Sequence, residues 1–235
     1  FVIFDDNTTE VFSQTDVSRN YMKIVVNMRK YLFAILLTYY YSSFSQVKKV
    51  VYYNENQKEI SETDFFKQKN NQRNLDIYFE NDSLVSSFLV TRKNHGQLND
   101  IELKSLNDYL YHNSEATNEL TILVYYPGKD RCNGMERIST WNIFDGDYLR
   151  KLKKINSYDH FWIYKSDENL KYYHPKQVKW QSDQNQLVEK MFFKFHYPCF
   201  SFVILNKKGK YLSYFGEFSK NTVWELSKEF TEMNP

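Results

Sequence analysis

A chain of 235 residues that is 42% hydrophobic, with 20 Tyr and 19 Phe, has enough apolar surface for a substantial core, which excludes a disordered polypeptide. Its 31 basic and 29 acidic side chains leave a formal charge of +2, too balanced for the basic face that nucleic-acid binding needs. The abundant Asn, Lys and Tyr fit the coding bias of an AT-rich genome better than a sugar-binding or base-stacking surface.

The chain opens on Phe1 rather than Met, and residues 1–27 are expected to be upstream of any folded unit. From Met28 the sequence has the three parts of a secretory signal: Arg29 and Lys30, the apolar run "YLFAILL", then small residues. Ser43-Phe44-Ser45 fits the small-x-small rule, so residues 28–45 are expected to be removed by a cut before Gln46. A membrane anchor needs about 20 apolar residues, and this run turns to Thr, Tyr and Ser after Leu37. The expectation is an exported protein, periplasmic or secreted, with no stable membrane span after cleavage.

Residues 46–115 read as a small α+β module. "VKKVVYY" (47–53) and "LDIYF" (75–79) have strand composition, and "NDSLVSSFLV" (81–90) is a turn entering a third strand. A short helix is expected from Ser61, with Asp64 in its first turn. A longer one runs from Asn99 to about His112. Asn99 and Glu102 form a capping-box pattern there, and Ile101, Leu103, Leu106, Tyr109 and Leu110 form an apolar face. The polar stretch "HNSEATNEL" (112–120) is the expected seam before a second domain, residues 116–235.

That second region opens with "LTILVYY" (120–126), a continuous apolar strand of the kind buried on both faces. A helical stretch is expected after Cys132, with Met135, Ile138, Leu149, Leu152 and Ile155 as its buried stripe and a break at Asp145-Gly146-Asp147. "HFWIY" (160–164) is the next strand, and its aromatics, like those of "KYLSYF" (210–215), sit at strand spacing and read as core. Asp183 is expected to begin a helix carrying Leu187, Val188 and Met191, with Gln186 completing the cap. "FSFVIL" and "KYLSYF" flank "NKKG", whose Gly209 supplies the positive φ a hairpin turn needs. Ser219 then caps a last helix with Val223, Leu226 and Phe230.

The order β-α-β-α-β-β-α, with a cysteine opening the first helix and a proline before the hairpin, resembles the thioredoxin fold over about residues 118–233. Cys132-Asn133-Gly134-Met135 is similar to that family's Cys-x-x-Cys, and Tyr197-Pro198 to its cis-proline loop. In the family that proline presents backbone groups beside the reactive sulfur and holds an extended substrate. The chain departs from the pattern in three ways. Met135 replaces the resolving cysteine, Arg131 replaces the usual aromatic, and the segment from Pro198 to Gly209 is longer.

The resemblance implies that Asn133 to Met135 form a first helical turn with Cys132 at its N-terminus. Lys129 and Arg131 would favour a Cys132 thiolate, and Asp130 would oppose it. It also brings Cys199, directly after Pro198, near Cys132. Either the two sulfurs are bonded or two thiols lie near each other. The candidate site is therefore Cys132 as a thiol, Pro198 as a cis-proline and Cys199 as a disulfide partner. Without a second thiol three residues on, the expected function is that of a degenerate family member that binds or supports a protein or peptide partner in the cell envelope. The alternative is a single-thiol disulfide oxidoreductase using Cys132.

No cofactor or metal is expected. His196 and Cys199 have an x₂ spacing that Cys132 would extend, but His95, His112, His160 and His174 show no zinc-ligand spacing. "GKDRCNG" (128–134) lacks the Gly and Ser/Thr order of a phosphate-binding loop.

Overall fold

A computed structural model describes residues 22, 25–33, 48–112 and 116–234. The chain divides into two units, residues 1–48 and Lys49–Pro235. Within the first, residues 25–33 are helical and exposed. Most of the expected signal, from residue 34 to the cut before Gln46, falls outside the described residues. Among the described residues no helix is long and apolar enough to cross a membrane.

The second unit holds two mixed sheets. The smaller contains β1 (Lys49–Tyr53), β2 (Glu59–Ile60), β3 (Asn74–Glu80) and β4 (Leu84–Thr91) in the order β2-β1-β4-β3. Between β2 and β3 runs α1 (Glu62–Gln68), whose Ser61 cap accepts the Asp64 N–H. The larger sheet takes β5 (Lys93–Gln97) and then, after α2 (Asp100–Tyr111), β6 (Leu120–Tyr126), β7 (Tyr158–Tyr164), β8 (Trp180–Ser182), β9 (Ser201–Asn206) and β10 (Lys210–Tyr214). Its order is β5-β10-β9-β6-β7-β8, with β6, β7 and β8 parallel and β9 and β10 antiparallel to their neighbours. Three further helices, α3 (Tyr148–Leu152), α4 (Leu187–Phe192) and α5 (Lys220–Met233), complete the unit.

Every residue of β6 is buried, and the alternation of a strand assigns its side chains to two cores. Leu120, Ile122, Val124 and Tyr126 join Tyr148 and Leu152 of α3 and Val223 and Phe230 of α5. Leu123 and Tyr125 face the other way, with Leu106 and Leu110 of α2 and Val188 and Phe192 of α4. Helices thus cover both faces of the larger sheet, which is why "LTILVYY" is apolar without alternation.

The local signals are met at several points. Asn99 and Glu102 form a reciprocal capping box on α2, and Ser219 and Thr222 form one on α5. Each cap typically contributes about 1 kcal/mol. In the β9–β10 turn Gly209 has a φ of 79°, and Asn206 Oδ1 accepts the N–H groups of Lys208 and Lys210.

Three features were not anticipated. The strand β5, from before the expected 115/116 seam, pairs with β10 from after it, so chain on both sides of that division builds one sheet. Arg92 sits buried where the chain passes from the small sheet to the large one. Its guanidinium donates to the carbonyls of Phe215, Asn71 and Glu217 and lies over the Tyr214 ring. Burial lowers its pKa, and the three carbonyls offset the desolvation. The third feature concerns Asp183, which caps α4 from further off than expected: its carboxylate accepts the N–H groups of Val188 and Glu189. Asn185 and Gln186 bridge the gap in left-handed conformations, and Gln186 makes no side-chain cap.

Candidate functional site

The helix expected directly after Cys132 is absent. Residues 131–133 form a turn, and the next helical residues are the short 3₁₀ turn Asn142–Phe144 and then α3. Asn133 supplies the physical reason. Buried in the turn, its Oδ1 accepts the Asp130 N–H at 2.5 Å and its Nδ2 donates to the Gly128 carbonyl at 2.9 Å. Such local side-chain bonds compete with helix formation, and Gly134 adds a helix cost of about 1 kcal/mol. Met135 and Ile138 are consequently exposed, as is Leu149, while Leu152 alone of the expected stripe is fully buried. The break at Asp145 to Asp147 agrees with the sequence: α3 starts at Tyr148.

Cys132 and Cys199 are joined in a disulfide, with Cα atoms 5.7 Å apart, within the usual range for a bridge. No free cysteine remains. The bond is asymmetric, since Cys132 is on the exposed outside of its turn and Cys199 is buried at the entry to β9.

The cis-proline expectation is corrected. Among the described residues there are no cis peptide bonds, and Tyr197–Pro198 is trans. The chain turns into β9 one residue later, at Cys199, whose φ is 69°. A non-glycine residue in that left-handed region carries a backbone cost of order 1 kcal/mol. Two constraints hold it there. One is the disulfide, and the other is Asp130, whose Oδ2 accepts the Cys199 N–H at 2.9 Å.

Asp130 is the residue that sequence reasoning undervalued, reading it only as a charge opposed to a thiolate. Its other carboxylate oxygen pairs with His196 Nε2 at 2.6 Å, and that hydrogen bond raises the His196 pKa. One side chain therefore ties the end of β6 to the loop before β9, in parallel with the disulfide. The only available signal was its place two positions before Cys132.

The cations expected to favour a thiolate are engaged elsewhere. Lys129 pairs with Glu168 at 3.4 Å, and Arg131 lies over the Tyr78 ring at 5.9 Å. With neither a helix N-terminus nor a committed cation at the sulfur, the turn lacks the devices that stabilise a thiolate. Beside the disulfide opens a cleft of about 280 Å³, walled by Trp141, Tyr173 and Phe200, with Met135 at its edge. Trp141 is fixed by its indole N–H, which donates to the Phe218 carbonyl at 2.6 Å, and by contact with Phe200.

No group of metal-ligating side chains with the makings of a site occurs among the described residues. His196 faces Asp130, while Cys199 is committed to its bond. Compared with known proteins, the chain matches no family model, no curated protein and no solved structure.

Proposed function

We propose that this chain is an exported, thioredoxin-like protein that binds an extended segment of a protein partner and does not turn over disulfides. The observation that carries this reading is the Cys132–Cys199 bond placed in a helix-free turn beside an open aromatic cleft. A disulfide cycle needs a leaving thiolate of low pKa and a neighbouring thiol to resolve the mixed disulfide. Here Met135 stands at the resolving position, and Cys199 is the sole partner for Cys132. The bridge reads as a clamp that holds the cleft open.

The resemblance in fold is supported by the succession β6, α3, β7, α4, β9, β10, α5, which is the thioredoxin order with β8 inserted. A disulfide is compatible with an oxidising, extracytoplasmic setting. One observation favours the alternative of a single-thiol oxidoreductase, namely the exposure of Cys132 to attack.

One pair of measurements decides between the two. The oxidised protein, supplied with a small dithiol, is expected not to reduce a model disulfide above the uncatalysed rate. A library of unstructured peptides is expected to contain binders that change Trp141 fluorescence. Turnover that disappears in Cys132→Ser would replace the binding reading with the enzymatic one.

A further inference from the structure

A second concavity, separate from the disulfide cleft, lies where the small sheet meets the large one. It has a volume of about 530 Å³, within the size range of small-ligand sites. Phe79, Phe88 and Val90 of the small sheet form one wall, and Phe195 and Tyr197, from the loop after α4, form the other. Phe79 is 48% exposed at the mouth, and its ring meets Phe88 and Phe195 edge-on at 5.7 and 5.8 Å.

The lining is mixed, with Gln57, Thr91 and Asn94 beside the rings, and two of its polar side chains lack a partner among the described residues. Tyr197 is only 5% exposed and stacks flat on Phe215 at 4.0 Å, yet its phenol makes no hydrogen bond with any described residue. Its oxygen is not among the buried unpaired polar atoms, so it keeps access to solvent while the ring is packed. Lys194 also lines the groove, and no described carboxylate pairs with it. The acid on the lining, Glu55, is already engaged by Arg73 at 3.2 Å and by the Asn74 amide at 2.7 Å. The unpaired charge on this lining is therefore positive, carried by Lys194, which is exposed at the groove.

We propose that this groove binds a single-chain anionic amphiphile, its hydrocarbon tail between Phe88, Val90 and Phe195 and its acid head at Lys194. The tail gains by leaving water in proportion to the apolar area it buries. The head meets a cation that has no competing partner, and the Tyr197 hydroxyl offers a hydrogen bond inside the site.

The test titrates the whole protein with dodecanoate below its micelle concentration, with dodecyltrimethylammonium as the cationic arm and hexanoate as the short-tail arm. Dodecanoate is expected to bind saturably, and both other arms at least tenfold more weakly. Lys194→Gln is expected to weaken dodecanoate by about three- to fivefold, the range of a partly exposed ion pair, and to bind the cationic arm no more weakly than the unmodified protein does, because a repelling charge is removed. Val90→Trp, which fills the groove, is expected to abolish binding. Because that variant risks misfolding, amide chemical shifts of the unmodified protein give an independent reading. Dodecanoate should move resonances of residues 88–91 and 192–197. The proposal is overturned by a lack of saturable binding, by a cation that binds as tightly, or by shifts clustered at the disulfide cleft instead.

Discussion

Opening the Cys132–Cys199 bond is the perturbation with the largest consequence that the structure lets one estimate. The bridge spans 67 residues of chain. In the chain-entropy treatment, a closed loop of that size removes about 4.4 kcal/mol of freedom from the unfolded state. Spread over a unit of roughly 190 residues, whose unfolding entropy is near 0.4 kcal/mol/K, this corresponds to about 11 °C in Tm. Native-state constraints act in both directions. Release of the left-handed Cys199 backbone returns a little of the loss, and Asp130 continues to hold the Cys199 N–H. The expected fall is therefore somewhat less than the full value, near 8–10 °C. Scanning calorimetry of the oxidised protein against the doubly substituted Cys132→Ser/Cys199→Ser form is the assay, with reduced and alkylated wild type as a second sample. A shift below about 2 °C in both would refute the view of the bond as a clamp on the fold.

Asp130→Asn removes the charge that raises the His196 pKa, so the histidine should titrate closer to 6.5 by NMR; an unmoved pKa would show that the pair does not form in solution. Because the folded pKa is raised, stability from this pair is fully present below 6.5 and is lost as pH rises through the folded value, and the variant should lack that loss. His160 behaves oppositely: burial pushes its pKa down to about 3, and its ring faces Tyr148 at 2.9 Å. Stability linked to it is present above 6.5 and falls with acidification, by about 2–3 kcal/mol at pH 4.5. Urea unfolding at pH 7 and 4.5 should show a shallower acid loss in His160→Asn, and equal losses would remove the argument. Arg92→Met strips the donor from three carbonyls near the junction of the sheets. A loss of about 3 kcal/mol is expected, or roughly 1.5 M in urea midpoint; a midpoint within 0.3 M of wild type, on that same scale, would count against it.

What the sequence by itself determined is what neighbouring residues decide among themselves. The Ser61, Asn99 and Ser219 caps, the turn at Gly209 and the doubly buried strand 120–126 are all of this kind, because each depends on a few consecutive side chains. The proximity of Cys132 and Cys199 came from a whole-fold resemblance, and the bond itself is seen only in three dimensions. The tertiary structure decided the rest. "KNHGQ" (93–97) has no strand-like composition and becomes β5 because β10 offers it an edge. The expected helix after Cys132 gives way to a turn because Asn133 bonds back to Asp130 and Gly128. Asp130 matters because Cys199 and His196, more than sixty residues along the chain, are brought to its two oxygens. Such pairings are set by packing between distant segments, and local propensity carries no record of which segments will meet.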